Sequence, residues 1–262
     1  MSTTNSRTAL VAVVIALLIA SCGSGEETAG AGTDTTAATA TTAGQSATSA
    51  PSTTAAPVPG SATQVPPTDY AGFAAQPTAC GAEAPPPVQE MTFDTPEDQS
   101  LDPDTMVRVT VSTSCGDITL ELDPSVAPET VNSFVFLARS GYFDGSVSHR
   151  IAPGFVVQAG DPTGTGRGGP GYTIADELPG DGFLYETGFL AMANAGPGTT
   201  GSQFFIVLAD APLPPDYTYF GKVADGFDTL EAIAQIPLGV NPFGEQSVPL
   251  ETLYIQQVTV AE

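Results

Sequence analysis

Residues 148–161 read SHRIAPGFVVQAGD, an apolar stretch punctuated by glycine that carries the chain's single histidine and one of its six basic residues. It divides into two short strand-like segments, SVSHRI and GFVVQAG. Side chains alternate between faces along a strand, so His149 and Arg150 point opposite ways, whereas Val156 and Gln158 share a face. A chain with a formal charge of −23 thus sets an arginine among apolar neighbours, where a guanidinium is costly unless something compensates it.

Four further segments read as short strands: GFLAMAN, SQFFIVL, TYFGKV and LYIQQVTV. In SQFFIVL, Gln203 and Phe205 share one face while Phe204 and Ile206 take the other. Upstream, MVRVTVST and GDITLELD flank Ser114-Cys115-Gly116 at hairpin-like spacing. APETVNSFVFLARSG reads as a helix, with Pro128 and Glu129 suited to its first turn, Val131, Phe134, Val135 and Ala138 on one stripe, and Gly141 placed to stop it. A second helix is expected from Asp228, with Glu231 completing a capping box and Leu230, Ile233 and Ala234 apolar. This is an all-β dominated pattern: eight strands and two helices predict a closed antiparallel β-barrel capped by two α-helices.

The barrel accounts for residues 106–262 only. Residues 1–21 have Arg7 in a polar leader and twelve apolar residues, Ala9 to Ala20, too few to span a bilayer comfortably and better suited to a signal peptide. Ile19-Ala20-Ser21 before Cys22 resembles a bacterial lipobox, which would make Cys22 the lipidated first residue of the mature protein; the alternative is an ordinary signal peptide with a chance cysteine. Residues 22–66 are nearly all Ser, Thr, Ala, Gly and Pro, cannot bury enough apolar surface to fold, and read as a disordered tether with a reach of roughly 35–40 Å. Residues 67–105 read as a proline-rich acidic arm. With Cys22 set aside, Cys80 and Cys115 form an even pair in an oxidising compartment. A bridge between them would close a loop of about 36 residues and contribute at most about 4 kcal/mol; the alternative is two reduced thiols. The acidic charge argues against nucleic-acid partners.

A lone histidine excludes a multi-histidine metal site, and His149 reads as a structural, hydrogen-bonded residue rather than a catalytic one. Gly164, Gly166 and Gly169 make a formal G-x-G-x-x-G, but the GPGYTI that follows does not continue a helix, so a flexible surface loop is expected instead of a nucleotide site. For Arg150, a purely structural role would require a carboxylate partner, with Asp144 and Asp161 the candidates by sequence proximity.

Together, SHRIAPGFVVQAGD, MANAGPGTTGSQFFI (192–206) and YFGKV (219–223) resemble the cyclophilin family of peptidyl-prolyl cis-trans isomerases, and the similarity runs from about Val107 to Val260, including DITLELDPSVAPETVNSFVFLARSGYFDG. The resemblance implies a groove for an X-Pro peptide on the outside of the barrel. In it Arg150, Gln158 and Asn194 would be catalytic, Asn194 with Ala193 and Ala195 holding the substrate carbonyl and Gln203 joining Gln158 as a polar groove residue. Phe155, Val156, Phe205 and Leu213 would receive the proline ring, with Tyr217 where histidine is common. Ser148 replaces a frequent phenylalanine, loosening the packing behind the site, and Pro212 stands where some members carry a tryptophan that contacts cyclosporin, so weak inhibition is expected. No cofactor or metal is implied. The partners expected are proline-containing peptides and folding exported proteins, with membrane contact through the lipid anchor alone. The whole reads as a monomeric, extracytoplasmic isomerase anchored to a bacterial cell membrane. The alternative is a proline-binding chaperone or scaffold with little catalysis.

Overall fold

The computed structural model describes residues 65–261; the expected signal peptide, Cys22 and the expected tether up to residue 64 lie outside them. The first strands, β1 (Val107–Thr113) and β2 (Gly116–Leu122), form an antiparallel hairpin in which Thr113 faces Gly116 across Ser114-Cys115. Gly116 makes this turn at φ +126°, in the region that favours glycine. Alternate residues Val109, Val111, Ile118, Leu120 and Leu122 are buried, as a half-buried sheet demands.

Helix α2 (Pro128–Arg139) follows, with Pro128 and Glu129 in its first turn and Arg139 in its last. Its stripe of Val131, Phe134, Val135 and Ala138 is buried, and Gly141 turns the chain at φ +71°. The short strands β3 (Arg150–Ala152), β4 (Val156–Ala159), β5 (Phe189–Met192) and β6 (Phe204–Val207) precede β7 (Tyr219–Asp225) and helix α3 (Phe227–Ile233). The capping box expected at Asp228 does not form. Gly226 at φ +95° takes the N-cap position, and the Asp228 carboxylate accepts from the neighbouring Thr229 N–H at 3.0 Å. Strand β10 (Ile255–Val260) completes an eight-stranded sheet of order β10-β1-β2-β7-β5-β6-β4-β3.

The expected closed barrel is instead a curled sheet forming an open half-barrel, because its edge strands β10 and β3 make no ladder with each other. Strand β3 has only three residues, and the segment before it bends at Gly145 (φ +78°). That segment meets the start of β10 in hydrogen bonds from Gly145 to Ile255, from Ile255 to Ser146 and from Ser148 to Leu253, and in a bridge from Val147 to Tyr254. A small apolar cluster of Phe73, Val147, Val248 and Tyr254 fills the opening. A two-stranded hairpin not foreseen from the sequence, β8 (Leu238–Val240) and β9 (Gln246–Pro249), packs beside it.

The arm preceding β1 is packed against the sheet over residues 67–105. It contains one short helix, α1 (Tyr70–Ala74), whose Phe73 is buried. Backbone bonds join Tyr70 to Thr163, Phe93 to Pro170 and Ala79 to Thr252, and the Phe93 ring stands edge-on to Phe136 at 4.9 Å. Cys80, in a single 3-10 turn, is disulfide-bonded to Cys115 in the β1–β2 turn, with Cα atoms 5.1 Å apart and 35 positions of sequence between them. The bridge therefore staples the arm to the β1–β2 hairpin. Replacing both cysteines by serine should lower the unfolding free energy by about 2–4 kcal/mol while the sheet's circular dichroism is retained; denaturant melts of the variant and the parent check this, and equal midpoints would contradict it.

Candidate active site

The site follows from the register of four strands. The ladders place Arg150 opposite Gln158, Gln158 opposite Phe205, and Phe205 opposite Ala191. Residues directly opposite in a sheet share a face, so a cation, an amide and an aromatic ring form one row. Their chain neighbours Ile151, Val157, Ile206 and Leu190 turn the other way, into the main core. The row lies on the outer face, where Val156, Tyr185, Ala191, Phe205, Val207 and Ala211 form a second buried apolar cluster. Phe155, Ala193, Leu213 and Tyr217 pack against it, half-buried. The Tyr217 ring meets Phe205 edge-on at 5.5 Å.

The Arg150 side chain is 28% exposed and pairs with Glu245, Nη2 donating to Oε1 at 2.6 Å and Nε to Oε2 at 2.9 Å. Its Cζ stands 5.5 Å from the centre of the Phe155 ring, within range for cation–π attraction. The carboxylate partner is thus neither Asp144 nor Asp161. Asp144 accepts from the Val258 N–H, and Asp161 is committed to the glycine loop. The hydrogen bond from Arg150 holds the Glu245 carboxyl below the usual carboxylate range against the opposing effect of its partial burial.

The polar residues are also tied together. Gln158 Nε2 donates to Gln203 Oε1 at 3.0 Å, and Gln203 Nε2 donates to the Gly168 carbonyl at 3.0 Å. Asn194 donates through Nδ2 to the Asp216 carbonyl and accepts through Oδ1 from the Gly196 N–H. Its side chain therefore shapes the turn, while Ala193 and Ala195 are bonded to Gln203 and Thr199. A cleft of about 510 Å³ runs over Gln158, Gln203 and Ala193 to Ala195, and one of about 940 Å³ runs from Arg150 to Phe243; Gln158 and Arg167 border both.

The glycine loop is a surface turn rather than the entry to a helix, but it is not loose. Buried Asp161 accepts hydrogen bonds from the backbone N–H groups of Thr163, Arg167 and Gly168 and from the Thr163 hydroxyl. Burial alone would raise the Asp161 pKa; these bonds together with nearby His149 bring it below the ordinary value. His149 packs against Gly166 and borders the Arg150 cleft. It is not hydrogen-bonded as expected: Nδ1 is buried without a partner. Burial lowers its pKa to about 4, with the Arg150 charge adding to this and the Asp161 charge opposing it. Ser148 is fully buried and donates to the Gln158 carbonyl at 2.8 Å, joining β3 to β4 behind Arg150. It also borders an apolar cavity of about 30 Å³ in the sheet's interior.

Three site residues escaped the sequence reading. Tyr185 lies under the apolar patch, its hydroxyl donating to the Tyr217 carbonyl at 2.6 Å and accepting from the Tyr217 N–H at 3.2 Å. Glu245 and Asn241 sit on the β8–β9 hairpin, whose Asn-Pro-Phe-Gly turn between LGV and QSVP was a legible hairpin signal.

The family of cyclophilin type peptidyl-prolyl cis-trans isomerases matches residues 107–260. The chain belongs to this family. A probable peptidyl-prolyl cis-trans isomerase B of Mycobacterium tuberculosis is 45% identical over 167 residues, 58% of this chain and 54% of the relative, so this cyclophilin spans about half the length of that protein. Peptidyl-prolyl cis-trans isomerase-like 1 of Gibberella zeae is 43% identical over 161 residues, 59% of this chain and 95% of the relative. Among solved structures, a cyclophilin of Cryptosporidium parvum is 34% identical with a TM-score of 0.54, covering 60% of this chain and 99% of its own. It has also been solved in the presence of the dipeptide Ala-Pro.

The lowered His149 pKa has a signed consequence. The unfolded chain takes up a proton near pH 6.5 that the folded cyclophilin refuses until about pH 4. Stability is therefore intact above that window and falls as pH drops through it, by up to about 3 kcal/mol. Losses from Asp161 and Glu245, whose pKa values are also lowered, begin near the ordinary carboxylate values of about 4 and continue to lower pH. Urea unfolding at pH 7 and pH 4.5 should show the drop in the parent and most of it abolished in His149→Leu; an equal drop in both would count against it.

Proposed function

We propose that this cyclophilin is a peptidyl-prolyl cis-trans isomerase that acts on exported proteins as they fold, working by non-covalent stabilisation of a twisted amide. The observation that carries the reading is the row of Arg150, Gln158 and Phe205 on one outer face, beside the apolar patch of Phe155, Val156, Leu213 and Tyr217. A patch of that kind suits a proline ring, and the two clefts meeting at Gln158 suit the extended chain on either side.

Amide resonance sets the obstacle, a rotation barrier of roughly 18–20 kcal/mol that makes X-Pro exchange take tens to hundreds of seconds. When the bond is twisted, the prolyl nitrogen recovers its lone pair and can accept a hydrogen bond. A guanidinium aimed at it binds the transition state more strongly than the planar ground state, which is the kind of binding that accelerates a step. One charge-assisted hydrogen bond contributes about 1.5–3 kcal/mol, whereas turnover near 10–1000 per second requires roughly 4–7 kcal/mol off the barrier. The rest is supplied by seating the proline ring against Phe205 and Val156 while the Asn194 segment holds the preceding carbonyl in a water-poor groove.

The lipobox-like Ile19-Ala20-Ser21-Cys22 and the Ser/Thr/Ala/Pro-rich segment after it support an extracytoplasmic protein anchored to a bacterial membrane by lipid on Cys22. On this reading the tether lets a monomeric domain reach proteins emerging nearby.

Arginine stays protonated across the physiological range and His149 is neutral there, so the exchange rate should be flat from about pH 6 to 8. NMR exchange spectroscopy on an X-Pro peptide should show catalysis by the parent and a loss of about 10²-fold or more in kcat/KM for Arg150→Ala. Peptide binding without exchange in the parent would favour the scaffold reading instead.

A further inference from the structure

The β8–β9 hairpin brings Glu245 to Arg150 across 95 positions of sequence. Its carboxylate takes the Nε/Nη2 edge of the guanidinium with two nearly parallel hydrogen bonds, the geometry in which arginine and carboxylate fix each other's orientation. A guanidinium has five N–H donors; Glu245 occupies two, and the other three, on Nη1 and Nη2, are left for the groove. The Phe155 ring restrains the guanidinium as well.

The carboxylate is itself held. Asn241 donates through Nδ2 to Glu245 Oε2 at 3.2 Å, while its Oδ1 accepts from the N–H groups of Phe243 at 2.9 Å and Glu245 at 3.0 Å. The Asn241 N–H in turn donates to the Glu245 carbonyl at 2.8 Å. One asparagine side chain thus braces the turn that carries the glutamate, and Gly244 at φ +88° lets the chain close it.

We propose that Glu245 is a positioning residue for Arg150: the hairpin holds the guanidinium in one orientation, with its free N–H edge toward the substrate's prolyl nitrogen. The proposal rests on the isomerase reading above. An unpaired, partly exposed arginine samples many rotamers, and only those aimed at the nitrogen contribute. Pairing costs some of the positive field but keeps the donors, and catalysis here needs a directed hydrogen bond more than net charge. Glu245 touches no reacting atom; it acts through Arg150.

The test uses the full chain in detergent, with kcat and KM for an X-Pro peptide measured by NMR exchange. Glu245→Ala should lower kcat by about 5- to 20-fold with KM within about twofold. Glu245→Gln should recover part of the loss, since its amide oxygen accepts one of the two bonds. Adding Glu245→Ala to Arg150→Ala should change the residual rate by less than about twofold, because a residue acting through Arg150 has nothing left to act on. The Arg150 Nε–Hε resonance should move in Glu245→Ala while resonances of the apolar patch stay in place. A Glu245→Ala rate equal to or above the parent's would overturn the proposal and leave the isomerase reading standing. So would an equal slowing in the Arg150→Ala background, which marks a structural role. A parent chain that binds peptide without exchanging it would overturn the isomerase reading and this proposal with it.

Discussion

Strands β4 and β6 are covered on both faces, and that constraint places the site. All four residues of β6 are buried, Phe204 and Ile206 against the main core, Phe205 and Val207 under the outer patch. Because side chains alternate, a slip of one residue between β3 and β4 would turn Arg150 inward and Ile151 outward. An unpaired guanidinium in that core would cost far more than the misplaced isoleucine. Apolar pattern therefore fixes the register, and register delivers the cation to the same face as Phe205.

This explains which features could be read from sequence. The eight strands, α2 with its buried stripe, the facing of Gln158 with Val156 and the outward direction of Phe205 all depend on local periodicity, and periodicity is visible residue by residue. The Cys80–Cys115 pairing followed from parity and compartment alone. Contacts that depend on distant chain were not legible. Glu245 lies far from Arg150 in sequence, whereas Asp144 and Asp161 are the candidates that proximity offers for a structural role, although both carboxylates serve backbone N–H groups. The barrel's closure failed for a related reason: strand count gives no information on whether the two edge strands meet in register. At α3, Asp-x-x-Glu matched a capping pattern, but Gly226 in a left-handed conformation started the helix two residues earlier and left Asp228 inside the first turn.

Charge is distributed with similar economy. The chain carries 29 acidic and six basic residues, and two of the basic ones, Arg150 and Arg167, border the same cleft. An acidic exterior favours solubility, while the groove keeps a local cation. The Glu245 carboxylate offsets part of that charge and takes two of the guanidinium's five donors, leaving three.

The open edge of the half-barrel is part of the same arrangement. Strand β3 ends its sheet, and β9 packs close to it, bringing Glu245 beside Arg150. The opening is filled instead by side chains from separate elements: Phe73 of the arm, Val147 before β3, Val248 of β9 and Tyr254 before β10. Pro66, just before the arm, lies against Gly239 of the hairpin, and Pro67 and Thr68 border the Arg150 cleft together with Pro242 and Phe243. The disulfide fixes the arm to the β1–β2 turn, and Phe73 of that arm shares this cluster with Val248 of the hairpin that carries Glu245. Apolar side chains and the backbone bonds among Gly145, Ser146, Ser148, Leu253 and Ile255 cover this edge, as an edge strand without a full ladder partner requires.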